Sequence, residues 1–134
     1  MAGTDTTDPR PLSPHLQVWR YHATMIASIS HRVTGVGLYG GALIISAWIV
    51  SLGMGETAYS TVHGLIISPV GLVLLFLFTV AVLFHFANGM RHLIWDGPGI
   101  GFSPKVASAV SVFNFAFAAL GAAAIWAASY LIGN

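Results

Sequence analysis

Two histidines inside an apolar segment are the residues of this chain best placed to do chemistry. His85 lies in a run that has no charged side chain for more than twenty residues before it, and His92 follows seven residues later. An imidazole in hydrocarbon loses its water partners and normally contacts a protein group or a cofactor instead. Neutral imidazole is also a good ligand for metals, including the iron of haem. From the residues alone, His85 is a candidate iron ligand or a hydrogen-bonding partner of a neighbouring helix.

Polar side chains recur at helical spacing on two of the apolar segments. The spacings are i, i+3, i+4 and i+7 on the first, and i, i+3, i+4, i+7 and i+11 on the second. Each set therefore shares one face of a helix. The first set is Ser28, His31, Arg32 and Gly35, and the second is His85, Asn88, Gly89, His92 and Asp96. We expect both faces in the same half of a membrane.

The spacing of the two histidines suits a haem. Seven residues rise about 10.5 Å along a helix, roughly the distance from a haem iron to its propionates. His85 would ligate the iron, and His92, with His31 or Arg32, would pair with the propionates and offset the cost of burying them. The alternative for His92 and Arg91 is that they are interfacial anchors that extend to the lipid headgroups.

The composition predicts the membrane helices that position these residues. Of 134 residues, 56% are hydrophobic and 7% are charged, whereas a soluble domain has about 25% charged residues. Apolar segments at about 25–52, 64–93 and 106–132 each exceed the ~20 residues needed to cross a bilayer as a helix. We therefore predict an all-α membrane protein, 1–134, with one transmembrane domain, three crossings and a polar N-terminal segment over 1–24.

The basic residues predict the orientation of the crossings. All five lie on one side of the predicted helices, which the positive-inside rule makes the cytoplasmic side. They are Arg10, Arg20, Arg32, Arg91 and Lys105. The N-terminus is thus expected in the cytoplasm and the C-terminus in the periplasm. The polar, acidic start resembles no signal or transit peptide, so no processing is expected.

Small residues and the absence of cysteine complete the pattern. Gly37 and Gly41 form a small-xxx-small pair, which lets another helix or a flat macrocycle approach closely. Without cysteine, any metal must take nitrogen or oxygen ligands, and an iron–sulfur site is excluded.

We expect three further histidines near helix ends to be functionally silent: His15, His22 and His63.

Three strings together resemble a known family. They are residues 10–16 (RPLSPHL), 28–35 (SISHRVTG) and 85–92 (HFANGMRH), the last followed by Asp96 and Gly97. The chain resembles, over nearly its whole length, the cytochrome b membrane-anchor subunit of succinate dehydrogenase, respiratory complex II. The serine–histidine–arginine string and the seven-residue histidine spacing are specific in combination, and neither is decisive alone.

The resemblance implies roles for the haem residues. His85 matches the axial ligand of haem b that this subunit supplies, and the second axial histidine comes from a smaller membrane-anchor subunit. His31 and His92 match residues around the propionates, and Arg32 serves both haem and quinone. His85 and His92 share one helix face, so they cannot both ligate one iron from opposite sides.

The resemblance also implies a quinone site and partner subunits. Ser28, Ile29 and Arg32 match positions that line a ubiquinone pocket under the iron–sulfur subunit, and Asp96 matches an acid close to it. Succinate would be oxidised on a flavoprotein subunit and electrons would pass through the iron–sulfur subunit. This chain would complete the pocket within a hetero-oligomeric helical bundle, without independent catalysis.

Two alternatives to the haem- and quinone-binding function remain open. The chain could be a passive helical anchor whose histidines are structural, or a small transporter or proton channel whose buried histidine and arginine line the path. We expect a bacterial inner membrane rather than a mitochondrial one, with the lipid bilayer and the other subunits as partners and no nucleic acid.

Overall fold

A computed structural model describes residues 21–133, which form four helices and no strand. They are α1 (Ala23–Met54), α2 (Glu56–Ile66), α3 (Pro69–Asp96) and α4 (Pro104–Gly133). Residues 10–16, with Arg10 and Arg20, lie outside the described residues.

Three of these helices are long and apolar enough to cross a membrane. They are α1, α3 and α4, with 32, 28 and 30 residues. At 1.5 Å per residue they are about 48, 42 and 45 Å long, more than the ~30 Å of the hydrocarbon layer. The all-α fold with three crossings is thus confirmed, and each helix extends one to three residues beyond the predicted C-terminal limit.

The start of the second crossing was predicted wrongly. The expected crossing began near residue 64, whereas residues 56–66 form the separate helix α2 and α3 begins at Pro69. Ser68 is extended and its hydroxyl accepts a hydrogen bond from the Gly71 amide at 3.1 Å. Ser68 is therefore an N-cap followed by proline, which starts a new helix. Because apolar residues lie on both sides of this cap, the hydrophobic pattern did not reveal the boundary between the two helices.

Small side chains allow the three long helices to pack together. The buried residues of α4 recur at three- and four-residue spacing and are Ala107, Ser111, Asn114, Ala118 and Ala122. Ala118 packs with Ala27 of α1 and Phe84 of α3. α3 contacts each of the other three helices. Most large apolar side chains of the described residues are exposed, so lipid or partner chains must cover them.

Gly41 allows α1 to approach α3 closely. A Cβ at this position would overlap the Phe78 ring, whereas a Cβ at Gly37 would meet no atom within 4 Å. Only one glycine of the predicted small-xxx-small pair is therefore required for the contact between these two helices.

We expect Gly41→Ala to destabilise the protein and Gly37→Ala to have little effect. The extra methyl at position 41 forces the Phe78 ring to move, and overpacking of this kind costs about 1–3 kcal/mol. The thermal stability of the detergent-purified protein checks this. Equal stability of the two variants would contradict the close approach at Gly41.

Candidate functional site

Three predicted site histidines meet between α1 and α3. The His31 ring stacks on the His85 ring with centroids 4.0 Å apart and an interplanar angle of 22°. The His92 ring lies 5.4 Å from His31, and the Trp95 ring meets His92 edge-on at 5.4 Å. The two polar helix faces predicted from the sequence are thus brought together at these histidines.

Hydrogen bonds to α1 orient the His85 imidazole. Its Nδ1 lies 3.2 Å from the His31 carbonyl oxygen and 3.2 Å from Thr34 Oγ1. A carbonyl oxygen only accepts, and the Thr34 hydroxyl donates its proton to that same carbonyl at 3.0 Å. Nδ1 is therefore the protonated nitrogen, and Nε2 keeps its lone pair. An imidazole held in this tautomer can ligate a metal through Nε2.

Gly35 and the Nε2 atom of His31 are two further features of the surroundings of this imidazole. A Cβ at Gly35 would lie 3.2 Å from His85 Cε1, so glycine is what lets the ring lie against α1 at this level. His31 Nε2 is buried and has no hydrogen-bond partner in the described structure. A buried polar atom without a partner is costly, which indicates a missing group close to His31.

The predicted quinone-site residues are only partly brought together. Arg32 Nη2 donates to Ser28 Oγ at 3.2 Å on the outer side of α1, where Arg32 is exposed. Ile29, on the same turn, is 51% exposed. Asp96 is the exposed last residue of α3. Within residues 21–133, no hydrogen bond or ion pair joins Asp96 to the other three, so a pocket here requires further walls.

A buried polar cluster between α3 and α4 was missed by the sequence reasoning. Arg91 is 7% exposed and donates through Nη1 to Ser111 Oγ at 2.9 Å, with Asn88 Oδ1 at 3.5 Å. Asn114 Nδ2 donates to Asn88 Oδ1 at 3.3 Å. Arg91 is thus buried between helices rather than extended to the headgroups. Asn88 faces α4 and does not join His85 at α1. The sequence does contain a signal for this pairing: polar residues recur at i and i+3 on both helices, at 88 and 91 on α3 and at 111 and 114 on α4.

Comparison with known proteins identifies the family. The profile described as "Succinate dehydrogenase/Fumarate reductase transmembrane subunit" matches residues 6–125. The chain belongs to this family. It is 37% identical over 65% of its length to a succinate dehydrogenase cytochrome b556 subunit of Paracoccus denitrificans, of which the alignment covers 67%. It is 36% identical over 72% of its length to one from Rickettsia felis, covering 73% of that protein.

Relatives of this membrane-subunit family also include mitochondrial proteins. A succinate dehydrogenase cytochrome b560 subunit of Mus musculus is 32% identical over 81% of this chain and 66% of its own length. The resemblance drawn from the three strings is thereby confirmed. The three long apolar helices are the transmembrane helices of a subunit in this family.

The histidine site fits the haem b that a cytochrome b subunit implies. No group of three or more His, Asp or Glu side chains among residues 21–133 is arranged to hold a metal ion. The site offers instead one oriented imidazole, which would supply one nitrogen ligand to an iron whose other ligands come from outside this chain. The unpartnered His31 Nε2 provides a polar group for a haem macrocycle.

We expect Ser111→Ala to destabilise the packing of α3 against α4. The change removes the acceptor of the 2.9 Å bond from Arg91 and leaves a buried guanidinium with one fewer partner. Interhelical hydrogen bonds in membranes contribute about 0.6 kcal/mol on average and up to about 1.7 kcal/mol. Unfolding of the purified protein in detergent and SDS measures the loss. The matched control is Ser129→Ala, because Ser129 is exposed and bonds only to its own helix; equal effects would contradict a stabilising cluster.

Proposed function

We propose that this chain is the haem b-binding membrane-anchor subunit of a succinate:ubiquinone oxidoreductase. The observation that carries the proposal is the His85 imidazole, whose Nδ1–H is held by the His31 carbonyl and Thr34 so that Nε2 is free to ligate iron. Family membership supports it, because the curated relatives are named as cytochrome b subunits of succinate dehydrogenase.

In this proposal, side chains of α1 and α3 hold the haem. His85 would ligate the haem iron from this chain, and a histidine of a smaller anchor subunit would supply a second ligand. His31 and His92 bond the propionates, for which the buried, unpartnered His31 Nε2 is a suitable donor. Haem, when bound, supplies reversible one-electron storage, and its potential is set by the ligands and by burial.

Ser28 and Arg32 act on the quinone. The Ser28 hydroxyl and the Arg32 guanidinium lie 3.2 Å apart, and both can donate hydrogen bonds to one quinone carbonyl oxygen. Such donors stabilise the negative charge that develops on this oxygen during reduction. Ile29 supplies an apolar wall, and Asp96 lies at the cytoplasmic end of α3, where protons enter through water and polar groups.

The remaining walls come from partner subunits. Arg32 and Ile29 are exposed in this chain, so the iron–sulfur subunit is proposed to close the quinone pocket over them and to deliver electrons from the flavoprotein subunit. The exposed apolar faces of the long helices contact lipid and the smaller anchor subunit. The proposed location is a bacterial inner membrane, with the N-terminus on the cytoplasmic side. Bacterial relatives support this location, although mitochondrial relatives are also similar.

We expect His85→Ala to abolish the b-type Soret band of the purified complex. Removing the imidazole removes the ligand that this chain would supply to the iron, and the alanine offers no replacement. The matched control is His63→Ala. His63 belongs to α2 and is not one of the three site histidines, so this change should leave the band unchanged. An unchanged band in His85→Ala would contradict the haem assignment and favour a passive helical anchor. A complex without pigment that moves ions unaided would favour a transporter.

We expect Arg32→Leu to keep succinate oxidation by artificial dyes and to lose quinone reduction. Loss of a charge-assisted hydrogen bond to the developing oxyanion lowers kcat/KM for quinone by about 10- to 100-fold. Parallel assays of dye reduction and quinone reduction in membranes measure this. Lys105→Leu, which removes an exposed cation at the start of α4, should change neither activity. Wild-type quinone reduction in Arg32→Leu would refute the pocket assignment.

A further inference from the structure

An open cleft lies where the start of α1, the end of α3 and the start of α4 meet. Its volume is about 400 Å³, within the range of small-molecule sites. It adjoins the histidine site through Trp95, whose ring also contacts His92, and shares no residue with the Ser28–Arg32 pair. Its lining residues are His22, Thr24, Arg91, Trp95, Phe102, Pro104, Ala107 and Ser108.

Arg91 brings an uncompensated positive charge to this cleft. Its side chain is more than nine-tenths buried, and both of its hydrogen bonds are made by Nη1. Nε is buried without a partner, and no carboxylate of residues 21–133 forms an ion pair with the guanidinium. A buried cation is normally paired, because desolvating it without a counter-charge is costly. The cleft is therefore suited to binding an anion.

The surroundings of the guanidinium are arranged for an oxyanion. The Arg91 Cζ lies 4.0 Å from the centroid of the Trp95 ring, and Trp95 in turn stacks on Phe102 with centroids 5.3 Å apart. The guanidinium thus lies against an aromatic stack, and its fork of donors suits phosphate. The first turn of α4 also lines the cleft, and the N-terminus of a long helix favours a negative group. Thr24 and Ser108 add hydroxyl donors.

The position and the apolar walls favour a lipid over a free ion. The cleft lies at one end of three membrane helices, where phospholipid headgroups reside, and a tryptophan at such a level is typical of the interface. Phe102, Pro104 and Ala107 supply apolar surface for a glycerol backbone and the start of an acyl chain.

We propose that this cleft binds the phosphate group of an anionic phospholipid, with Arg91 as the principal contact. The bound lipid supplies the counter-charge that the chain itself lacks and joins the ends of α1, α3 and α4. This proposal goes beyond the redox function and does not depend on it.

The test uses the complex that the full-length chain forms, purified in mild detergent, with native mass spectrometry to count bound phospholipid. We expect Arg91→Gln to lower phospholipid affinity by about 10- to 100-fold, the effect of losing one charge-assisted hydrogen bond. Ser108→Phe, which adds bulk at a lining position of α4 and keeps both Arg91 and Ser111, should lower it as well. Lys105→Gln removes a neighbouring exposed cation that does not line the cleft and should retain the lipid.

A second measurement on the wild-type complex decides between the sources of phosphate and does not depend on a variant folding. After delipidation, dioctanoyl phosphatidylglycerol should raise the thermal stability of the complex, whereas inorganic phosphate should not. Equal stabilisation by inorganic phosphate would overturn the lipid assignment. Wild-type lipid content in both Arg91→Gln and Ser108→Phe, or a wild-type complex without phospholipid and without a response to it, would overturn the site.

Discussion

The orientation of one imidazole between two membrane helices is the constraint on which the functional site depends. His85 belongs to α3, but its Nδ1–H is held by the His31 carbonyl and the Thr34 hydroxyl of α1. The protonated nitrogen therefore faces the backbone of a neighbouring helix, and the basic nitrogen faces away from it. Thr34 satisfies two demands at once, since it donates to the same carbonyl and accepts from the imidazole. A local hydrogen-bond geometry thus determines the chemistry that the side chain can perform.

Two polar faces fix the rotation of α3 about its axis. His85 and His92 face α1, while Asn88 and Arg91 face Ser111 and Asn114 of α4. A rotation that improved one set of contacts would break the other, because all of these residues lie within two turns of the helix. The buried polar cluster therefore helps to keep His85 and His92 facing α1. Polar groups that are buried between membrane helices without a partner are costly, so these contacts have few alternatives.

Composition and spacing were enough to predict three crossings and the residues of the histidine site. Long apolar runs leave few alternatives in a bilayer, and the positions of His31 and His85 could be read from helical periodicity. The break at Ser68 could not, because its cap lies between apolar residues that continue the hydrophobic pattern. The matching spacing of polar residues on α3 and α4 did not by itself decide which face Arg91 and Asn88 present, since a polar side chain near a helix end can extend to water or pair with another helix. That choice depends on the partner residues of α4, which are distant in sequence.

The most direct test of this account is an experimental map of the assembled complex at a resolution that shows side chains. We predict a porphyrin between α1 and α3 of this chain and its smaller partner, with iron at bonding distance from His85 Nε2 and the His31 imidazole beside a propionate. A map in which that imidazole contacts only protein groups or faces lipid, with no porphyrin nearby, would contradict the account.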